Sequence, residues 1–449
     1  MNRYKSYKKV DLHWLNQVPT HWELTRIKRL FYIHKDCSGT DLPIILTLAR
    51  DRIKIRDISD NAGQLAADYT NYNKVKIGDL ILNPMDLYSG PNCNISYVEG
   101  VISPAYTKLR KKKELYEKYF DYCFKLQYIL LAFQAVGKGV SKENRWTLNN
   151  ETLLNYLIPI PPLPEQKQIA NYLDWKVSEI DKLIYLEKEK IKQTESLKKS
   201  IIAKAVTQGL VKTKMKSVDI DWIKEIPSHW DIEKIKMFSS FGVGSSISDH
   251  KKDNYKDSVN AIPYISTANI SLDNQKINYL SGLYIKKLDS DFEVIPTGST
   301  LVCIEGGSGG KKKAITDREV CIVNKLCYIK SFKHDDMFIY FLILSDYFNN
   351  QYNSSISGDR NGVSVRTLGE FKFPTPPLPE QKQIANYLNK KIQKIDEINT
   401  LSKEKIQKLV ALKQSLISEI VTGQIDVQNI KIPKYEKVTN IDDAEAFND

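Results

Sequence analysis

The sequence predicts an α+β protein in which two α+β domains are separated by two long helices packed as an antiparallel coiled coil, with an internal pseudo-two-fold repeat. Three observations predict it. Residues 161–173 read PPLPEQKQIANYL, and residues 376–388 repeat those thirteen residues unchanged. Residues 14–22 read WLNQVPTHW and residues 222–230 read WIKEIPSHW. After each PPLPEQ run, apolar residues recur at spacings of three and four with no Gly or Pro until Gly209 and Gly423, the pattern of a long helix with one apolar stripe.

Repeats of this kind fix the organisation before any single element is assigned. The order is variable, constant, variable, constant. Residues 1–160 form the first domain, 161–215 the first spacer helix, 216–375 the second domain, 376–424 the second spacer helix, and 425–449 an acidic tail. Pro164 and Pro379 open the helices, where a missing amide hydrogen costs nothing. About 40 residues at ~1.5 Å each give a rod of roughly 60 Å. The first stripe is expected to run through Ile169, Leu173, Val177, Ile180, Ile184, Ile191, Leu197 and Ile201, the second through Ile384, Leu388, Ile392, Ile395, Ile406, Leu409, Leu412 and Leu416. Each stripe is the other's natural cover, and two near-identical faces meeting with local two-fold symmetry run antiparallel.

Within the variable domains, 77–82 and 96–109 read as strands followed by a helix over 114–134, and 300–304, 320–329 and 335–349 echo that order. Gly78 and Gly298 stand at matching strand entrances. The tryptophans of the WxxxxPxHW segments are expected to lock each domain to the rod, and His21 and His229 to pack rather than catalyse.

Composition narrows the partner. Sixty-six Lys and Arg against 54 Asp and Glu give a net charge of +12, which favours a polyanion and above all nucleic acid. The longest apolar run, 337–344, falls far short of the ~20 residues of a spanning helix. The first fourteen residues lack an apolar stretch, so a cytoplasmic protein is expected. Cys37, Cys93, Cys123, Cys303, Cys321 and Cys327 are irregularly spaced, which predicts reduced core thiols and no metal.

The candidate DNA-binding residues lie in four segments. Arg110, Lys111, Lys112 and Lys113 follow a strand end and read equally as phosphate contacts or as a solvated turn. Lys138, Lys142 and Arg145 lie in a glycine-bearing segment before the first constant region. Lys311, Lys312 and Lys313 close the run GGSGGKKK, whose amides and lysines suit a phosphate backbone. That run is no Walker motif, because Glu305 and Lys312 stand where Gly and Ser or Thr are required. Arg360 and Arg366 can each read guanine bidentately or brace the fold through a carboxylate. Asn83-Pro84-Met85 is similar to the N-P-P-aromatic loop of adenine methyltransferases but lacks the second proline and the aromatic residue, so methyl transfer by this chain is not expected.

Taken together, the doubled PPLPEQKQIA runs, the doubled WxxxxPxHW segments and the helix ends near Val206 and Val421 resemble the specificity subunit (HsdS) of type I restriction-modification systems, over essentially the whole chain. At Thr207 the order is T-Q-G and at Thr422 it is T-G-Q, a small departure at a helix end. The resemblance implies a non-catalytic subunit in which each variable domain is a target-recognition domain reading one half of an asymmetric bipartite DNA sequence, with the helices setting the unread gap. It implies two modification (methyltransferase) subunits docking along the conserved segments, here Glu165, Gln166, Ile169 and Leu173 and their counterparts Glu380, Gln381, Ile384 and Leu388. Restriction (translocase/nuclease) subunits join them, and S-adenosylmethionine, ATP and Mg belong to these partners, with no cofactor in this chain. A fused enzyme fragment would instead show cofactor or metal-dependent activity. A coiled-coil adaptor with no DNA role would instead show affinity that is salt-insensitive and sequence-blind.

Overall fold

The computed structural model describes residues 2–40, 43–50, 52–57, 66, 68–139, 146–280, 282–287, 289–356 and 362–435. Two compact units emerge, one built from Met1–Glu187 with the segment from Glu404 onward, the other from Lys188–Lys403. The division falls inside the two long helices, Leu163–Gln208 and Leu378–Val421, so that each unit holds one variable domain and half of each helix.

Both units use the same four-stranded antiparallel sheet. In the first unit the order is Phe31–Ile33, Thr107–Lys111, Leu80–Leu82, Cys93–Ile95; in the second it is Ser239–Val243, Leu326–Ser331, Thr300–Cys303, Lys313–Ile315. Both faces of the central strands are buried, Leu80, Leu82 and Leu109 in one core and Ile81 in a second, so a slip by one residue would exchange the side chains between two differently shaped cores. Gly78 and Gly298 take φ of +89° and +79° before the equivalent strands, a turn that a Cβ would strain. A short pair, Glu23–Arg26 with Leu157–Ile160 or Asp231–Lys234 with Lys372–Thr375, carries the chain from each domain to its helix. The hairpins Tyr7–Leu12/Leu15–Pro19 and Met215–Ile220/Ile223–Pro227 share one register, Tyr7 facing Pro19 and Met215 facing Pro227.

Several elements differ from the sequence reading. The segment 96–109 is two strands, Gly100–Ile102 and Thr107–Lys111, in different sheets, with Pro104 and the Ser103 hydroxyl shaping the turn between them. The helix over 114–134 is Glu117–Ile129 and then Ala132–Val136, broken where Leu131 takes φ of +55°. In the second unit Ser345 ends Asp336–Leu344 and caps Asp346–Ser354, its hydroxyl accepting from the Phe348 amide and donating to the Leu342 carbonyl.

The long helices run antiparallel in each unit. In the first, Asp181 faces Lys413 at 2.7 Å and Glu187 faces Lys405 at 2.7 Å. In the second, Glu195 accepts from Asn399 at 2.6 Å and Lys198 pairs with Asp396 at 2.6 Å. Rising numbers meet falling ones in both. The ion pairs Lys413–Asp181 and Lys198–Asp396 are the same pair, related by the 215-residue duplication, as a two-fold repeat demands. Leu197 and Leu412 are corrections to the expected stripe, being 51% and 54% exposed. A period of 3.6 from Ile191 arrives at Lys198, not Leu197, and the lysine takes the seam with its aspartate. Gly209 and Gly423 end the helices at φ of +72° and +73°.

Ile169, Leu173, Ile417, Ile420 and Val421 join Trp22, Phe120 and Phe124 in the first core; Ile202, Val206, Ile384 and Leu388 join Trp230, Phe338 and Phe348 in the second. The chain after Gly423 stays packed at first: Val427 is fully buried and Gln168 donates to the carbonyls of Val427 and Ile430. Residues 436–449, with most of its acidic positions, lie outside the described residues. All six cysteines are free; five are buried and Cys37 is exposed, which corrects the expectation that every thiol is in the core.

Candidate nucleic-acid interface and helix junctions

The repeated Glu-Gln dipeptide is the junction between domain and helix. Gln166 uses both ends of its amide, donating to the Pro161 carbonyl at 2.9 Å and accepting from the Tyr116 amide at 3.0 Å. Gln381 does the same with Pro376 at 2.7 Å and Asp335 at 2.9 Å. Beside it, Glu165 accepts from Trp22 Nε1 at 3.0 Å, Tyr4 Oη at 2.6 Å and His21 Nε2 at 2.8 Å. Burial and this carboxylate hold the Tyr4 hydroxyl far above its usual pKa. Glu380 accepts from Trp230 Nε1 at 3.1 Å and His229 Nε2 at 2.8 Å. The histidines therefore clamp the first helical turn, and the tryptophans lock each domain to its helix.

The expected docking set takes a different position in the structure. Gln166, Ile169, Leu173, Gln381, Ile384 and Leu388 are each at most 4% exposed and Glu165 is 5% exposed, all facing the interior of their own unit; Glu380 alone is partly open. The identity of the two runs reflects a shared internal junction.

A second pair of equivalent features lies at the ends of the central strands. Leu80–Leu82 and Cys93–Ile95 are joined by the loop 83–92, and Thr300–Cys303 and Lys313–Ile315 by the glycine-rich loop 304–312. Each loop is met by the segment preceding a constant region. The Leu148 amide donates to the Pro84 carbonyl at 2.9 Å, and the Val363 amide donates to the Ile304 carbonyl at 3.0 Å. A tyrosine hydroxyl supports each from below, Tyr128 on the Asn83 carbonyl at 2.8 Å and Tyr352 on the Ile304 carbonyl at 2.6 Å. Gly310, at φ of +69°, lies so close to the Tyr352 ring that a Cβ would sit 2.6 Å from it. Two chemically suited segments, far apart in sequence, thus share one edge in each domain.

The basic candidates divide accordingly. Lys138 is exposed, and its backbone pairs with Thr147 at 2.9 Å in both directions, closing the base of the glycine-bearing segment. Lys142 and Arg145 lie outside the described residues, as does Arg360; Arg366 is exposed on the short helix Val365–Gly369. Lys311 is exposed, and Lys312 donates to the Thr267 carbonyl at 2.8 Å. Lys313 does not extend the loop: it opens the strand Lys313–Ile315 and is 3% exposed, with its amine donating to Asn349 4.5 Å above the Phe348 ring. Desolvation pulls its pKa down to about 7.

Arg110 is not in a loop but inside Thr107–Lys111, where it forms a bidentate pair with Asp79 at 2.7 Å and braces the Gly78 turn. Its counterpart Lys330 holds the Gly298 turn through the Thr297 carbonyl at 2.9 Å and Asp336. Lys111 pairs with Glu117, Lys112 donates to the Lys28 carbonyl at 2.9 Å, and Lys113 is exposed. Composition correctly finds the basic stretch, but partners depend on residues such as Asp79 that lie outside it.

Met85, weighed above only as part of a methyltransferase-like run, and Tyr88, which no motif singles out, stand 50% and 63% exposed on the loop 83–92. The signal was the spacing Asp86, Ser89, Gly90, Pro91, Asn92, typical of a loop tied by an aspartate. In the second unit a cleft of about 860 Å3 opens between the glycine-rich loop and the helices, with Lys198, Lys199, Lys311 and Asn274 on its wall. Among the described residues no group of three or more His, Cys, Asp or Glu could hold a metal ion, and no helix is long and apolar enough to cross a membrane.

With this geometry in view, comparison with known proteins is decisive. The type I restriction modification DNA specificity domain matches twice, over residues 53–219 and 227–411. The chain is 26% identical over 453 residues to the type I restriction enzyme MjaVIII specificity subunit of Methanocaldococcus jannaschii, covering 96% of this chain and 99% of that protein. It is 25% identical to the putative MjaX specificity subunit of the same organism, with 94% and 97% covered. A solved structure described as the basis of complex assembly and conformational transition of the type I R-M system is similar in fold, with a TM-score of 0.69 at 16% identity, covering 91% of this chain and 99% of that one. The chain belongs to the type I restriction-modification specificity-subunit family. It is the non-catalytic DNA-recognition component, with two target-recognition domains.

Proposed function

We propose that this chain reads an asymmetric bipartite sequence in double-stranded DNA, each target-recognition domain taking one half through its paired loops, while the helices set the unread gap. The carrying observation is that one loop-pair architecture occurs twice with unrelated residues, the loop 83–92 held to Leu148 through Pro84 in one domain and the loop 304–312 held to Val363 through Ile304 in the other. Identical frames holding different side chains suit two different base sequences. Two modification subunits and the restriction subunits dock on the chain in the cytoplasm. S-adenosylmethionine, ATP and Mg are assigned to those subunits, as the family resemblance implies, and the glycine-rich loop of this chain carries no Walker pattern.

The test is base-resolved methylation sequencing of DNA from a methylation-deficient host expressing this chain with its neighbouring methyltransferase. A bipartite adenine-methylated motif present only with this chain is the expected result. A stable complex that yields no motif would sink the reading. Affinity for that motif should fall steeply with salt as counterions are released, and a flat response would favour the adaptor.

A further inference from the structure

The loop 83–92 is built to hold apolar side chains in water, and its construction is stiff. Asp86 is its hub, accepting from the Ser89 amide at 3.2 Å, the Ser89 hydroxyl, and Asn92 Nδ2 at 3.0 Å. Asn83 Oδ1 accepts from the Met85 amide at 3.0 Å. Leu87, 1% exposed, points inward beneath Gly137, where a Cβ would come within 3.2 Å of its Cδ1. Met85 and Tyr88, on either side of this anchor, are half or more exposed to solvent. Single exposed apolar residues are ordinary on a surface. A methionine and a tyrosine on a hydrogen-bonded loop, at the edge that also carries Lys138, are a matched set for a polyanion with aromatic interior.

We propose, resting on the function given above, that Met85 and Tyr88 form a wedge entering the DNA at the half-site of the first domain, with Tyr88 packing on the face of a base and Met85 against its neighbour. Rigid apolar side chains inserted at a base step exchange stacking between bases for stacking on protein, and the pre-tied loop has little conformational entropy left to lose. The second domain holds Glu305, Gly306, Gly307 and Ser308 at the equivalent positions, with Gly306 at φ of +78°, so its loop brings backbone to the duplex instead. The two half-sites are read with different chemistry.

The experiment uses full-length chain assembled with the methyltransferase, and a duplex carrying the motif that the wild-type methylation pattern defines. Tyr88→Ala should weaken binding by about five- to 150-fold, the range of one base–aromatic stack, and relax methylation at one half-site only. Tyr88→Phe should retain wild-type affinity. Lys138→Ala should lower the salt slope by about one, whereas Tyr88→Ala leaves it unchanged. A substituted 2-aminopurine at the contacted step should brighten with wild-type protein and stay quenched with Tyr88→Ala. Wild-type affinity and motif in a folded Tyr88→Ala protein would overturn the wedge while leaving the bipartite reading intact. Loss of methyltransferase co-purification at unchanged DNA affinity would also overturn it, assigning the loop to a protein partner. Absence of any wild-type motif would remove the function on which the wedge rests.

Discussion

Glu165 and Glu380 occupy identical positions in identical thirteen-residue runs, so their substitution by alanine is a matched experiment with burial as the variable. Glu165→Ala removes the carboxylate that accepts from Tyr4 Oη and Trp22 Nε1, in residues 8% and 0% exposed. Each orphaned buried donor costs about 1–3 kcal/mol, so the first unit should lose about 2–5 kcal/mol. Glu380→Ala strands only Trp230 Nε1, beside a carboxylate that is 27% exposed, because Lys212 stands where the first unit has Tyr4. Water can enter there, and the loss should stay near ~1 kcal/mol. Amide hydrogen exchange over residues 2–26 and 215–234 reads each junction separately, which matters because a two-unit chain need not unfold in one step. Equal loss of protection at both junctions, or none at residues 2–26, would refute the argument from burial.

Reversing Lys198→Asp alone should destabilise the second unit, and adding Asp396→Lys should restore it, with a coupling of about 0.5–1.5 kcal/mol in a double-mutant cycle; an additive result would show that the seam pair is incidental. Lys313 makes stability depend on pH: with its pKa lowered to about 7, the unfolded chain binds more protons between pH 7 and the ordinary lysine value, so stability rises with pH across that window. Lys313→Met should remove this rise and stabilise the second unit at pH 7, as thermal melts of both proteins at pH 7 and 9.5 would reveal. Arg366→Ala should relax the half-site read by the second domain by ~1–3 kcal/mol and leave the other unchanged, measured as degenerate bases in the methylation motif. Removing one heptad from the first long helix with its counterpart from the second should shorten the unread gap, and an unchanged spacing in the sequenced motif would exclude the helices as its determinant.

Duplication made much of this protein legible from sequence. Two copies of one string, separated by unlike stretches of domain size, specify a repeated fold and paired helices, and antiparallel pairing follows where the near-identical apolar faces meet about a two-fold axis across the helices. The helix ends at Gly209 and Gly423 and the strand entrances at Gly78 and Gly298 were equally readable, since a positive φ leaves a glycine in the sequence. What tertiary structure alone decided is which polar groups are occupied. Arg110 belongs to Asp79, Lys313 to the core, and the Glu-Gln pairs to the domain junctions, while Leu197 yields the seam to Lys198. Pairing across 31 residues for Arg110 and 198 for Lys198 is a property of the folded chain, as is the placing of Met85 and Tyr88 around a buried Leu87. Periodicity reports local geometry, whereas the partner of a charge and the side of a loop that meets water are set by whichever distant segments the fold brings within hydrogen-bond reach.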